Sequence, residues 1–298
     1  MKIYYGVINN LVDVTDICIQ KLLENNIITI PAGDFDRANF FGDHIFGTLK
    51  SVFIQNNDDY NKVEYHDSYI IKINITDNSI STIDTNITNY KMNNIHSNLK
   101  IKYGTFREEL PEQKMAINYL KGHEKVLEIG GNIGRNSLVI ASLLDDDKNL
   151  VSLESHEIIA QQLTENRDMN NLKFHIENSA LSNRKLIQIG WDTKPSDILE
   201  NGYKWVNTIT LKQLKEKYNI DFDTLVLDCE GAFYYILMDM PEILNNIKLI
   251  IMENDYRDIT HKKYIDEVLL KNNFYRDYVE IGGWGPCYNC FFEVWKKL

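Results

Sequence analysis

Basic residues, proline, cysteine and long apolar runs are all scarce in this chain. Lys and Arg number 32 against 43 Asp and Glu, a formal charge of −11 over 298 residues. A chain of that balance lacks the basic footprint a phosphate backbone requires, so no nucleic-acid partner is expected. No apolar run reaches the roughly 18 residues a membrane span needs, and the opening Met1–Gly6 stretch carries no signal-peptide core. No membrane insertion is therefore expected. Four cysteines without a secretory signal point to reduced thiols and a cytoplasmic location. The wealth of Asn, Ile, Lys and Asp suggests an AT-rich genome; for a viral source the location is the host cytoplasm. Cys287 and Cys290 have Cys-x-x-Cys spacing but no second pair, so they are read as ordinary strand cysteines.

Hydrophobic residues make up 44% of the chain, enough for a sizeable core. The pattern changes near residue 95. Residues 1–95 are expected to form a small β-rich domain with a linker, from short apolar or alternating runs at Lys2–Val7, Ile27–Ile30, Thr48–Ile54 and Ser68–Ile75. Its role would be substrate recognition or oligomerisation. Ile30–Gly42 reads as a structured turn or recognition loop. Its acids Asp34, Asp36 and Asp43 lack the spacing of a calcium loop. Residues 76–100 are polar and read as a linker or surface strand.

Residues 96–298 alternate strands with helices. Strands are expected at Lys125–Ile129, Leu150–Leu153, Lys173–Ile176, Thr224–Leu227 and Lys248–Met252, with helices between them. Nearly continuous apolar strands alternating with helices predict a parallel, doubly wound α/β sheet. The end departs from that rhythm: Tyr275–Ile281, the tight turn Gly282–Pro286 and Tyr288–Trp295 read as a hairpin. A Rossmann-like sheet closed by one antiparallel strand is the architecture of class I S-adenosylmethionine methyltransferases.

Within that frame, Val126-Leu-Glu-Ile-Gly-Gly-Asn-Ile-Gly134 reads as strand, glycine turn and helix start. Such a turn is expected to offer backbone N–H groups to an anionic ligand. Asn132 stands where a dinucleotide fingerprint needs glycine, so Glu-x-Gly-x-x-x-Gly fits a methyltransferase first motif better. The expected cofactor contacts here are Glu128, reaching the ammonium or its water shell, then Gly130, Gly131, Asn132, Gly134 and Asn136. Glu154 ends the second strand about 20 residues on, where a carboxylate accepts from ribose hydroxyls. Ser155, Ser179 and Ala180 are candidate adenine contacts. In Leu227-Asp-Cys-Glu-Gly231, Asp228 stands at the carboxyl end of the fourth strand. If the chain stays extended, Asp228 and Glu230 share a side and can accept a proton, orient a hydroxyl or hold a divalent metal. Glu253 ends the fifth strand as a further orienter or metal ligand, while Asn254, Tyr256 and Trp284 are candidate substrate contacts on the same edge.

These segments, together with the Asn178–Leu181 turn, Val206–Leu211 and Ile250–Glu253, make residues 101–298 resemble the FkbM-type methyltransferase family. Glu128 and Gly131 replace a commoner Asp and Ala, and Ser155-His156 replaces a proline-containing turn. The resemblance implies methyl transfer from S-adenosylmethionine, typically to oxygen, on sugars and polyketide-type products. The expected acceptor is a sugar hydroxyl of a glycan or nucleotide-sugar, with Asp228 as candidate base. A protein or non-sugar metabolite as acceptor, or a non-catalytic glycan-binding scaffold, are the alternatives. Residues 1–95 fall outside the resemblance.

Overall fold

The computed structural model describes residues 1–56 and 61–298. Its contacts divide the chain into Met1–Lys91 and Met92–Leu298.

The first unit contains two four-stranded antiparallel sheets. One runs Asn10–Asp13, Lys2–Val7, Ser51–Gln55, Val63–Tyr65; the other runs Leu23–Glu24, Ile27–Ile30, Tyr69–Asn74, Ile80–Asp84. Side chains two apart on a strand share a face. Ile3 and Tyr5, Ile28 and Ile30, Val52 and Ile54, and Ile71 and Ile73 all enter one core by that rule.

The segment expected to be a turn within Ile30–Gly42 is instead the helix Asp34–Phe41, bounded by Gly33 and Gly42 at φ 90° and 84°. An inward-facing arginine explains it. Arg37 is fully buried, and its guanidinium donates to the carbonyls of Pro31 (2.9 Å) and Tyr69 (2.6 Å). Asp34 and Asp43 lie 3.1 and 2.9 Å from buried Lys50 Nζ. In the polar stretch after residue 76, expected as a linker or surface strand, Ile80–Asp84 is a strand with no buried residue, while Thr85–Asn98 is a helix, and within the second unit its Met92 and Ile95 pack against Ile117 and Val139. Polar composition here marks outward faces, and a few apolar residues at helical spacing suffice to anchor the helix.

After the end of the Thr85–Asn98 helix, the second unit continues with α1 (Leu110–Tyr119). Then come β1 (Val126–Ile129), α2 (Arg135–Leu143), β2 (Leu150–Leu153), α3 (Glu157–Met169) and β3 (His175–Glu177). After a three-stranded antiparallel insert (Leu186–Ile189, Asp192–Pro195, Lys204–Val206) follow α4 (Leu211–Tyr218), β4 (Thr224–Leu227), α5 (Ala232–Asp239) and β5 (Leu249–Glu253). The chain closes with α6 (Ile259–Lys271), β6 (Phe274–Glu280) and β7 (Phe292–Lys297).

The main sheet has the order β3-β2-β1-β4-β5-β7-β6. β1 to β5 are mutually parallel, with Leu127 between Val151 and Leu225, and β7 runs antiparallel to both neighbours. This is the α/β, Rossmann-like sheet with a terminal antiparallel strand expected for class I methyltransferases. Every residue of β1, β2 and β4 is buried, as strands covered on both faces require. α5 stops at Asp239 before Pro241, whose ring cannot continue it. The terminal hairpin is not joined by a tight turn. A 3₁₀ turn at Gly285–Cys290 connects β6 to β7, and it holds the free thiols Cys287 and Cys290 outside any strand. Among the described residues no helix is long and apolar enough to cross a membrane.

Candidate active site

The order of the strands reverses between β1 and β4, where the crossovers leave in opposite directions, and a crevice opens there at the carboxyl ends of the strands. A cavity occupies it. Gly130, Asn132, Glu154, Ser155, Ser179, Ala180, Asp228 and Glu230 all line this cavity, so eight of the expected site residues come together.

The glycine turn works differently from the expectation. Gly130 and Gly131 both donate to the Leu153 carbonyl, at 3.0 and 2.8 Å, and Gly134 donates to the Gly131 carbonyl at 2.9 Å. Asn132 N–H goes to Glu154 Oε2 (3.0 Å) and Ile133 N–H to Asn132 Oδ1 (2.8 Å). All five N–H groups from 130 to 134 are thus engaged within the protein. The turn itself therefore offers a pyrophosphate no free backbone donor. The glycines serve close approach instead. A Cβ on Gly130, whose φ is +94°, would sit 1.6 Å from the Asp228 carbonyl oxygen, and one on Gly131 would sit 2.1 Å from Ser152 Oγ. A Cβ on Gly134, also at φ +94°, would lie 2.4 Å from Leu163 Cδ1. Glycine at the first position lets the β1 and β4 exits touch.

Glu128 is not a cavity residue. It is buried beneath the turn, where Oε2 accepts from Ser137 Oγ and from Ser152 Oγ (2.6 Å). Burial pushes its carboxyl up to about 7, against the lowering effect of the two serines. Its place under the turn follows from strand alternation: Glu128 and Ser152 are register partners on β1 and β2 and share a face. Gly131, Gly134 and buried Asn136 also lie outside the cavity wall.

Glu154 faces the cavity with its geometry fixed from behind. Oε1 accepts from His156 N–H (2.7 Å) and Oε2 from Asn132 N–H (3.0 Å). Burial raises its carboxyl and the two backbone bonds oppose that rise. Each oxygen keeps a lone pair for a further donor, the arrangement a vicinal diol needs. Asn178 holds the adjoining turn by donating to the Glu154 carbonyl (2.8 Å), and Ser155 Oγ accepts from Gln188 Nε2 (3.0 Å).

At the other end of the crevice the chain does not stay extended. Glu230 has φ 51° and Gly231 has φ 79°, so the β4 exit coils into a left-handed turn before α5. Asp228 and Glu230 are therefore not side-by-side strand residues. Asp228 instead groups with Glu253 at the end of β5 and with Glu112 on the first turn of α1, their nearest carboxylate oxygens all within 4.8 Å of one another. Burial and the surrounding acids, Glu109 first among them, push Asp228 well above the usual carboxylate range. Burial and neighbouring Glu112 push Glu253 up to about 11. Asp255 accepts from Gly231 N–H (2.8 Å) and rises to about 7 through burial and the charge of Glu230.

Two of the three expected substrate residues are buried and do not line the cavity. Asn254 is fully buried, donating its N–H to the Phe291 carbonyl (2.7 Å) and its amide to the Cys290 carbonyl (2.6 Å), which ties β5 to the terminal turn. Tyr256 is buried against Gly231. Trp284 is half-exposed on the terminal turn and does not line the cavity.

Several cavity and rim residues were not picked out from the sequence. Gln188, half-exposed Trp191, Thr193 and Pro195 belong to the three-stranded insert and form one wall. Arg184 makes a bidentate pair with Asp239 at 2.5 and 2.6 Å. Glu109, at φ 57°, accepts from Arg135 (2.7 Å) and Asn132 Nδ2 (3.1 Å), bracing the glycine turn from above. The run Glu108-Glu109-Leu-Pro-Glu112 reads in sequence as acids favouring a helix N-terminus; only burial separates Glu109 and Glu112 from that role.

No family model and no curated protein matches the chain. Solved structures do. The O-methyltransferase from Bacillus cereus in complex with SAH is similar at 16% identity over 72% of this chain and 92% of that one, with a TM-score of 0.40. The ribosomal protein L11 methylase from Lactobacillus delbrueckii subsp. bulgaricus is similar at 10% identity over 66% and 82%, with a TM-score of 0.42. The M. jannaschii tRNA m1G37 methyltransferase is similar at 12% identity over 79% and 60%, with a TM-score of 0.41. At these identities and scores the likenesses assign no activity or acceptor. The fold rests on the strand order, and the chemistry rests on the residues of the crevice.

Proposed function

We propose that the chain is an S-adenosylmethionine-dependent O-methyltransferase acting on a sugar hydroxyl of a glycan or nucleotide-sugar. The observation that carries this reading is Glu154, buried at the end of β2, held by two backbone N–H groups and facing a cavity that runs to Asp228. The residues present fit the cofactor. Glu154 would take the ribose hydroxyls. Leu153, Ala180, Leu181 and Met240 supply apolar wall for the adenine, and the carboxylate-rich end suits a cationic methionine portion. The engaged turn N–H groups support a ligand without phosphates.

When bound, the cofactor supplies a methyl group on a sulfonium, which an alcohol oxygen attacks in line. The protein's part is to align that oxygen and to receive its proton. Asp228 is the base in this reading. Its carboxylate stands at the end of β4 on the cavity wall, at the opposite end of the crevice from the acid that would hold the ribose. With the cofactor bound, the Asp228 carboxylate would receive the proton that the hydroxyl gives up on methylation, leaving S-adenosylhomocysteine as the other product. Trp191, half-exposed on the cavity wall, offers the flat apolar face on which sugar rings stack. Conversion of S-adenosylmethionine to S-adenosylhomocysteine, measured against a panel of nucleotide-sugars and free glycans, tests the reading. Turnover confined to peptide or non-sugar acceptors would remove the sugar, and absence of cofactor binding by calorimetry would remove the activity.

A further inference from the structure

Glu112, Asp228 and Glu253 come from three separate elements, the first turn of α1 and the ends of β4 and β5. Their carboxylate oxygens nevertheless lie within 4.8 Å of one another. Glu112 is 5% exposed, and its buried Oε2 has no hydrogen-bond partner. Lys and Arg pair with other acids nearby: Arg135 with Glu108 and Glu109, Lys262 and Arg276 with Glu293. No ion pair is formed by Glu112, Asp228 or Glu253 among the described residues. A buried carboxylate oxygen left without a donor, beside two more acids, lacks the compensation burial demands.

We propose that Glu112, Asp228 and Glu253 form a site for one hard divalent cation, of the Mg²⁺, Mn²⁺ or Ca²⁺ class. The ligand set is all oxygen, with no thiolate or imidazole to favour zinc. Metal–oxygen distances of about 2.1–2.5 Å allow two ligands of one ion to be at most about 4–5 Å apart, and the three oxygens here all lie within 4.8 Å of one another. Glu112 and Glu253 do not line the cofactor cavity, whereas Asp228 does. A ligand filling the cavity therefore reaches one member of the group and leaves the other two unmatched, and an ion matches all three. It also fixes the carboxylate of Asp228 at the edge of the crevice. The set keeps Asp228 and Glu253, both candidate ligands from the sequence, and has Glu112, which lies 116 residues before Asp228, in place of Glu230.

Mn²⁺ is the probe. Titrated into the full chain without cofactor and followed by electron paramagnetic resonance, it is expected to bind at one ion per chain. Mg²⁺ is expected to displace it. Glu112→Gln and Glu253→Gln are each expected to weaken Mn²⁺ binding by at least about tenfold. Circular dichroism establishes that each variant is folded; should E112Q not fold, E253Q carries the test. No Mn²⁺ binding by the folded wild-type chain at millimolar ion, the result if the three acids share protons instead, overturns the proposal. Unchanged affinity in a folded E112Q or E253Q overturns it as well. S-adenosylhomocysteine affinity, measured by calorimetry on the wild-type chain, fails independently. Its absence alongside Mn²⁺ binding would sink the methyl-transfer reading and leave the ion site standing.

Discussion

The backbone N–H of Asn132 donates to Oε2 of Glu154 at 3.0 Å, across 22 positions of sequence. The tip of the glycine turn and the acid at the end of β2 are therefore one mechanical unit. Whatever fixes the turn also aims the carboxylate, and the carboxylate in turn consumes the donor that would otherwise attract an anion.

Replacing Glu154 by Ala should accordingly weaken cofactor binding. A charged hydrogen bond is worth roughly 1.5–3 kcal/mol, so S-adenosylhomocysteine affinity should fall by about one to two orders of magnitude. Calorimetry reads this directly. Affinity unchanged in a folded variant would take Glu154 away from the ribose.

Gly130→Ala tests the contact between the β1 and β4 exits. The added methyl would stand 1.6 Å from the Asp228 backbone oxygen, and φ is already +94°. A left-handed alanine alone costs about 1–2 kcal/mol, and backbone cannot swing aside as a flexible side chain can. A loss well above that, on the order of 3 kcal/mol or more, is expected in urea denaturation. Gly190→Ala is the control: its φ is +56° with nothing within 4 Å, so only the conformational cost should appear. Equal losses at the two positions would contradict the close-approach account.

The large features of the second unit were legible because their signals are local. Apolar runs bounded by polar residues mark β1, β2, β4 and β5, and Pro241 stops α5 where its ring must. Glu154 and Asp228 are found by position, since strand ends at a crossover reversal are where such sheets bind ligands. What was illegible depends on long-range burial. Glu112 looks like any acid at a helix start until α1 is packed over the β4 and β5 exits. Arg37 looks like a surface cation until the carbonyls of Pro31, Tyr65 and Tyr69 gather round its guanidinium, and Glu128 differs from a cofactor ligand only in facing Ser137 and Ser152. The left-handed turn at Glu230 and Gly231 broke the expectation of paired acids because a glycine permits a conformation that alternation rules do not consider.

Glu128 and Asp255 make stability fall as pH rises. Burial raises each carboxyl to about 7, with Glu230 adding to the rise at Asp255. Both bind protons more tightly folded than unfolded, so their contribution is full below pH 4 and is lost as pH climbs toward and through 7. For Glu128, going from 4.5 to about 7 amounts to roughly 3 kcal/mol. The cation-free protein in EDTA should melt at progressively lower temperature between pH 5 and 8. Glu128→Gln keeps the shape without the charge and should flatten that slope. A slope identical in both proteins would mean Glu128 does not titrate in this window.

Asp228→Asn separates proton acceptance from binding. The amide nearly preserves the volume of the carboxylate but cannot accept the hydroxyl proton, so turnover should drop by about 10²–10⁴. Cofactor affinity should stay within a few-fold, because the ribose acid and the adenine wall are untouched and the Asp228 carbonyl that packs on Gly130 is backbone. The split between the two readouts is what distinguishes a base from a residue that only shapes the crevice. A shaping residue would lower affinity and rate together, whereas loss of a group needed in the transition state lowers the rate alone. Full turnover in D228N would transfer the base role elsewhere, and Glu230, the other acid on the cavity wall, would be the next group to replace.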